Sequence, residues 1–267
     1  MRDILGYQGS CVVVTGAASG MGAAAARTLV ELGAEVHALD LKPIEAPVKQ
    51  ALACDLARQE SIDAALASLP ARVDRLFHCA GLPGPPFPLL DTTLVNFVGL
   101  RHLTERLLPR IPEGGAIASI TSVAGMGWQK NLENVKALVA TRDFAEARAW
   151  LEAHPKENNG YIFSKQCIVY YTKAKAIELV PRRIRVNCLS PAPTDTPMLP
   201  SFHQQASKDF IDTHFLAPIG RNATPEEMAE PLVLLNSDAA RFVSGVNLMV
   251  DYGYVASVEI GARPALL

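Results

Sequence analysis

Apolar residues along this chain recur with two periods. Short runs rich in β-branched residues, near 11–14, 35–39, 51–54, 76–80, 116–122, 183–189 and 246–250, have the length of buried strands. They alternate with stretches near 21–32, 59–69, 91–108, 161–180 and 225–236 in which apolar positions return every three to four residues, the period of a helix packed on one face. This alternation predicts one α/β domain spanning 1–267, with a doubly wound parallel sheet covered by helices on both faces. Gly33 follows the first helix where a left-handed cap is needed.

Two segments exceed a minimal strand-helix alternation. In 129–159, Leu132, Val135, Leu138 and Val139, then Phe144, Ala147 and Leu151, repeat at helical spacing, which predicts a helical insertion. Residues 197–219 mix Met198, Leu199, Phe202, Phe210 and Phe215 with His203, Lys208 and His214. A long apolar connection of this kind is expected to be a substrate lid.

Composition narrows the function classes. Lys plus Arg is 25 against 27 for Asp plus Glu, a formal charge of -2, so there is no basic excess to neutralise a nucleic-acid backbone. The five cysteines have no close pairing and sit mostly inside apolar runs, which suits reduced core thiols and neither a disulfide nor a zinc framework; no metal site is expected. Neither a signal-like N-terminus nor an apolar run of membrane-spanning length is present, and a cytoplasmic protein is expected.

Candidate chemistry begins at Thr15 to Gly22, where a strand passes into a helix through Gly16, Ser19, Gly20 and Met21. Glycines let the backbone approach a ligand closely, and the helix N-terminus offers free N–H groups to a pyrophosphate, the arrangement of a Rossmann-type dinucleotide site. Asp40 ends the second strand, where a carboxylate accepts from both ribose hydroxyls and repels a 2′-phosphate. With Ser19 in the loop and Leu41 after Asp40, no base is supplied for that phosphate, so NAD is expected over NADP. Further on, Tyr161 and Lys165 share one face of a helix, and a nearby cation favours a phenolate usable as a general base. Tyr171 and Lys175 repeat the spacing, so spacing alone does not choose between the pairs.

The glycine loop, Cys79-Ala80-Gly81, Asn96, Thr121 to Gly125, Tyr161 to Lys165, and Ile184 to Pro191 occur in an order that resembles the short-chain dehydrogenase/reductase family over nearly the whole chain. The resemblance implies a catalytic set of Asn96, Ser122, Tyr161 and Lys165: Tyr161 as acid/base, Lys165 holding the nicotinamide ribose and lowering the phenol pKa, Ser122 bonding the substrate oxygen, and Asn96 anchoring a water. It also implies dinucleotide contacts from Asp55 and Leu56, from Cys79, Ala80 and Gly81, and from Pro191, Thr194 and Thr196. Tyr171 and Lys175 match no catalytic position. Ala192 after Pro191 and His78-Cys79 before Ala80 depart from the family pattern without removing a catalytic group.

The long separation of Ser122 from Tyr161 is similar to the subgroup containing 3α-hydroxysteroid dehydrogenase/carbonyl reductase and coniferyl alcohol dehydrogenase. That resemblance implies an NAD-dependent oxidoreductase for a bulky apolar alcohol or carbonyl, foremost a hydroxysteroid, with a coniferyl-type aromatic alcohol as the alternative. Met126, Trp128, Met198, Leu199, Phe202 and Phe215 are the expected apolar walls, with Trp128, Met198 and Phe202 placed against substrate. A homodimer formed near 225–250 is expected, because the insertion lies close to the other common surface. A non-catalytic dinucleotide-binding regulator is the alternative of another class.

Overall fold

The computed structural model describes residues 3–264. Seven strands, β1 (Cys11–Thr15), β2 (Glu35–Asp40), β3 (Gln50–Ala53), β4 (Arg75–His78), β5 (Ala116–Ile120), β6 (Arg185–Pro191) and β7 (Asn247–Val250), form one parallel sheet in the order β3-β2-β1-β4-β5-β6-β7. The order reverses at β1, which pairs with both β2 and β4. A crevice therefore opens beyond the carboxyl ends of these strands, where open α/β sheets take their ligands.

Alternation along the strands divides the core into two layers. Val13, Leu76, Ile117 and Val186 face a layer made with α2 (Gln59–Ser68), α4 (Leu100–Leu107) and α7 (Tyr161–Glu178). Val12, Val14, Phe77, Ala118 and Leu189 face the other layer, with α1 (Gly20–Glu31) and α10 (Pro225–Asn236). The alanines Ala23 to Ala26 are all buried and let α1 lie close to its neighbours. Thr224 and Glu227 form a reciprocal capping box at the start of α10, with Pro225 at the first helical position.

The helix expected over 91–108 is interrupted. It divides into α3 (Leu89–Thr93), a π-helical turn over Leu94–Gly99 and α4. One added residue per turn leaves the apolar spacing nearly unchanged, which is why periodicity does not reveal it. The turn has identifiable causes. Asn96 turns inward to clamp the backbone of Leu82, and a Cβ on Gly99 would lie 2.2 Å from Leu56 O.

Residues 129–159 hold α5 (Leu132–Val139) and α6 (Phe144–Ala153). Val135, Leu138, Phe144, Ala147 and Leu151 join the same core layer as α4 and α7. The segment is fastened by Arg101 on α4, which is buried. Its guanidinium donates to the carbonyls of Leu138, Val139, Thr141 and Asp143, covering the open C-terminal end of α5. Residues 197–219 are helical too, as α8 (Leu199–Ala206) and α9 (Lys208–Phe215). A final helix, α11 (Tyr254–Glu259), follows β7. Among the described residues no helix is long and apolar enough to cross a membrane, and all five cysteines are free thiols, four of them buried.

Candidate active site

Ser122 stands two residues beyond the end of β5 and caps a 3₁₀ turn, its Oγ accepting from Ala124 N at 3.1 Å. Tyr161 opens α7. Gly160 reaches this start with φ of 72°, and its N–H donates to Asn158 Oδ1, which also accepts from Thr93 Oγ1 at 2.6 Å. Asn159 Oδ1 accepts from Phe163 N at 2.7 Å. These bonds tie the first turn of α7 to α3 and fix the Tyr161 backbone.

One turn later Lys165 is buried, with Nζ donating to Ile120 O at 3.1 Å and lying 5.5 Å from the centre of the Tyr161 ring. Desolvation lowers its ammonium to about 8, and the nearby Cys188 and Cys79 thiols act in the opposite sense. Burial raises the Tyr161 phenol, while a hydrogen bond with the Ser122 side chain lowers it. The lowering of the phenol by Lys165 expected from the sequence does not emerge. Desolvation dominates Tyr161 here.

The second pair has nearly the same internal geometry and a different fate. Lys175 Nζ lies 5.7 Å from the Tyr171 ring centre, but it is held by Glu105 and Glu178 at 2.8 Å each, and the Tyr171 hydroxyl donates to Glu105. No cation is left over to serve a reaction.

Ser122, Tyr161 and Lys165 meet at a cavity of about 400 Å³. Cys79, Ala80, Gly81, Pro191, Thr194 and Thr196 line the same cavity with Met21, and its outer wall is Met198, Leu199 and Phe202 from the segment of α8. Lys165 is the one charged group in the lining. The Phe202 ring stands edge-on to Tyr161 at 5.1 Å. Phe210 and Ile211 of the apolar segment 197–219 also line the cavity, as do Asn159 and Gln205, which sequence reasoning missed; Asn159 precedes Tyr161 by two positions and Gln205 sits within 197–219.

Some expected residues lie elsewhere. Met126 and Trp128 do not line the cavity, and the Trp128 ring packs edge-on to Tyr170 at 5.6 Å, against the core. Asn96 is fully buried beside the cavity and clamps Leu82 through both its amide atoms, while its Nδ2 also donates to Ser164 Oγ at 3.1 Å. Gly16, Ser19, Gly20, Asp40, Asp55 and Leu56 lie outside the cavity lining; a Cβ on Gly20 would nonetheless lie 3.1 Å from Thr196, which lines it, and Gly16 N donates to Leu39 O of β2. Cys54 N donates to Asp40 O, so Asp55 and Leu56 sit beside Asp40.

Family models match most of the chain in two parts: one described as short chain dehydrogenase over residues 10–135, the other as enoyl-(acyl carrier protein) reductase over 149–255. The chain is 34% identical to a coniferyl-alcohol dehydrogenase of Pseudomonas sp. (strain HR199 / DSM 7063), covering 92% of this chain and 96% of that protein. The chain belongs to the short-chain dehydrogenase/reductase family. It is also 30% identical to a 3-alpha-hydroxysteroid dehydrogenase/carbonyl reductase of Comamonas testosteroni, with 91% and 96% covered. The crystal structure of a 3-alpha-hydroxysteroid dehydrogenase from Pseudomonas sp. B-0831 complexed with NADH superposes with a TM-score of 0.78 at 26% identity, covering 96% of this chain and all of that one. The protein is thus an oxidoreductase acting on CH–OH groups, of a family that binds a nicotinamide dinucleotide.

The residues present fit that group. A Cβ on Gly16 would lie 2.5 Å from Ala80 N, and Gly20 has φ of 54°, so the loop is a close-packed cradle that side chains would fill. Ser19 makes no side-chain cap to α1, and the first turn of α1 carries no acidic residue, leaving its N–H groups and positive dipole end for a diphosphate. Asp40 is held by Ala18 N and Lys42 N at 2.9 Å each, with one bond per oxygen, so each oxygen keeps a lone pair for a hydroxyl.

Proposed function

We propose that this protein is an NAD-dependent oxidoreductase interconverting an alcohol and its carbonyl on a bulky apolar substrate, foremost a hydroxysteroid. The observation that carries this is the cavity itself: Ser122, Tyr161 and Lys165 form its reactive floor, the lid segment forms an apolar wall, and no second charged side chain is available to hold an anionic substrate. When bound, the nicotinamide accepts or returns the hydride. The chain's own residues handle the proton and the oxygen. Ser122 Oγ holds the substrate oxygen, and Tyr161 Oη takes the hydroxyl proton in oxidation or gives one in reduction. Lys165, lowered to about 8 and so still mostly charged at neutral pH, supplies the cation beside Tyr161 and would bond the nicotinamide ribose. Asn96 supports this set by fixing Leu82 and Ser164.

Gly16, Ser19, Gly20 and Met21 would hold the dinucleotide, together with Asp40 for the ribose, Asp55 and Leu56 for the adenine, Cys79, Ala80 and Gly81, and Pro191, Thr194 and Thr196 for the nicotinamide. The Asp40 carboxylate disfavours a 2′-phosphate, which selects NAD. Residues 197–219 act as the lid, with Met198 and Phe202 against substrate.

A coniferyl-type aromatic alcohol is the second reading, favoured by the higher identity to that relative, 34% against 30%. Turnover of a 3α-hydroxysteroid compared with coniferyl alcohol separates the two; selective oxidation of coniferyl alcohol overturns the first. We also infer a homodimer near 225–250. The insertion covers α4 and α7 with the chain's own apolar residues, whereas Leu234 and Phe242 near α10 and β7 are exposed. The free, mostly buried thiols suit a reducing cytoplasm.

A further inference from the structure

α8 carries an amide that neither the catalytic set nor the dinucleotide site uses. Gln205 Nε2 donates to Pro85 O at 2.8 Å and to Pro83 O at 3.2 Å, crossing from the lid to the loop that precedes α3. A side-chain amide has two N–H protons, one for each carbonyl. Pro83, Pro85 and Pro86 have no N–H of their own, so this loop presents acceptors that cannot be reciprocated by strand pairing. The acceptors are also fixed in place, because Asn96 bonds both the N–H and the carbonyl of Leu82 at the start of the loop.

We propose that Gln205 is a positioning residue, a latch that holds α8 across the mouth of the substrate cavity and thereby sets Phe202 against Tyr161. It rests on the lid assignment above. Residues three apart on a helix share a face, so the bonds of Gln205 and the 5.1 Å contact of Phe202 with Tyr161 are made by one surface of α8. The junction to α9 is strained. Ser207 has φ of 52° and ψ of 150°, a region a residue with a Cβ enters only when its surroundings hold it there. Releasing the latch frees Ser207 to relax, which favours opening. The far end of α9 is pinned separately: Arg263 Nη1 donates to Leu216 O at 2.7 Å, and Tyr254 backs Phe215 at 6.0 Å. The mobile piece is therefore α8.

The test compares wild type, Gln205→Glu and Gln205→Lys in the full chain. Glutamate keeps the size but offers only acceptors toward two carbonyls, whereas lysine supplies donors at similar reach. Amide hydrogen exchange of residues 199–207, measured by mass spectrometry without added ligand, should quicken about five- to tenfold in Gln205→Glu, the equilibrium loss of one to two modest hydrogen bonds. It should stay within about twofold of wild type in Gln205→Lys, with 254–264 unchanged in both. With NAD and androsterone or coniferyl alcohol, Gln205→Glu should raise KM about fivefold and leave kcat within about twofold, because the variant shifts only the closed population. Unchanged exchange of 199–207 in Gln205→Glu, or equal loss of protection in Gln205→Lys, overturns the latch. If neither alcohol is turned over by wild type, the functional proposal fails while the exchange comparison still decides the latch.

Discussion

The Lys165 ammonium lies 5.5 Å from the centre of the Tyr161 ring and has a carbonyl, Ile120 O, as its hydrogen-bond partner, so its charge faces the cavity uncompensated. Lys175 stands in the same helical relation to Tyr171 but is neutralised by two carboxylates. The neighbours, rather than the spacing, leave one cation free toward the cavity and neutralise the other.

Tyr161→Phe is accordingly expected to lower kcat by about 10³-fold or more while the Kd for NADH, followed by fluorescence titration, changes less than about threefold. Lys175→Met should retain kcat within about twofold and lower thermal stability instead, since it leaves Glu105 and Glu178 facing each other.

The pH dependence follows from Tyr161. Burial raises its phenol above the ordinary value, so on the proposed mechanism oxidation, which needs the phenolate, should gain rate from about pH 7 through about pH 9 without reaching a plateau, while reduction, which needs the neutral phenol, should stay flat over that range. Lys165→Met removes the stabilising cation and should move the rising limb further alkaline. Profiles of kcat/KM in both directions check this; an oxidation profile flat over that range contradicts the assignment of the base.

Arg101 tests the insertion. Its guanidinium serves four carbonyls from 138 to 143, and Arg101→Met leaves them open. Stability should fall by about 2–4 kcal/mol, lowering the thermal midpoint by about 5–10 °C. Calorimetry checks the value, and exchange of 132–153 should rise before that of the sheet.

His78 makes the fold sensitive to acid. Thr104 Oγ1 gives its proton to Leu100 O, so His78 Nε2, 2.8 Å away, carries the proton in that bond, and Nδ1 has no protein partner. Burial lowers the imidazole to about 3. A lowered pKa means the stabilisation is complete above the ordinary value and declines as pH falls from about 6.5 toward 3. Unfolding in urea should show a loss of about 2 kcal/mol between pH 8 and pH 5, and His78→Asn should flatten that slope.

Much of this molecule was legible in the order of its residues. The parallel sheet follows from β-branched runs such as Val12 to Val14, because a strand buried on both faces needs continuous apolar sequence. The site was legible where backbone demands a residue type, as at Gly16 and Gly20, and where ordered motifs reinforced each other. What escaped depends on neighbours distant in sequence. Trp128 reads as a pocket wall until Tyr170 is seen to cover it. Arg101 carries no signal in the sequence, because only the insertion's carbonyls give its burial a purpose. Gln205 has no spacing signal, because a single amide acts through whatever carbonyls the fold brings to it. The helices of 197–219 escaped because neither buries a residue fully, so they lack the core-facing repeat that marks α5, which is just as short.

The most direct test of the account is turnover of androsterone by the purified enzyme with NAD and with NADP, following the absorbance of the reduced nicotinamide, for wild type and Asp40→Ala. The account predicts that wild type prefers NAD by about 100-fold or more in kcat/KM and that Asp40→Ala loses most of this preference, since the carboxylate no longer repels the 2′-phosphate. Turnover supported by NADP as well as by NAD in wild type, or by neither with androsterone, contradicts it.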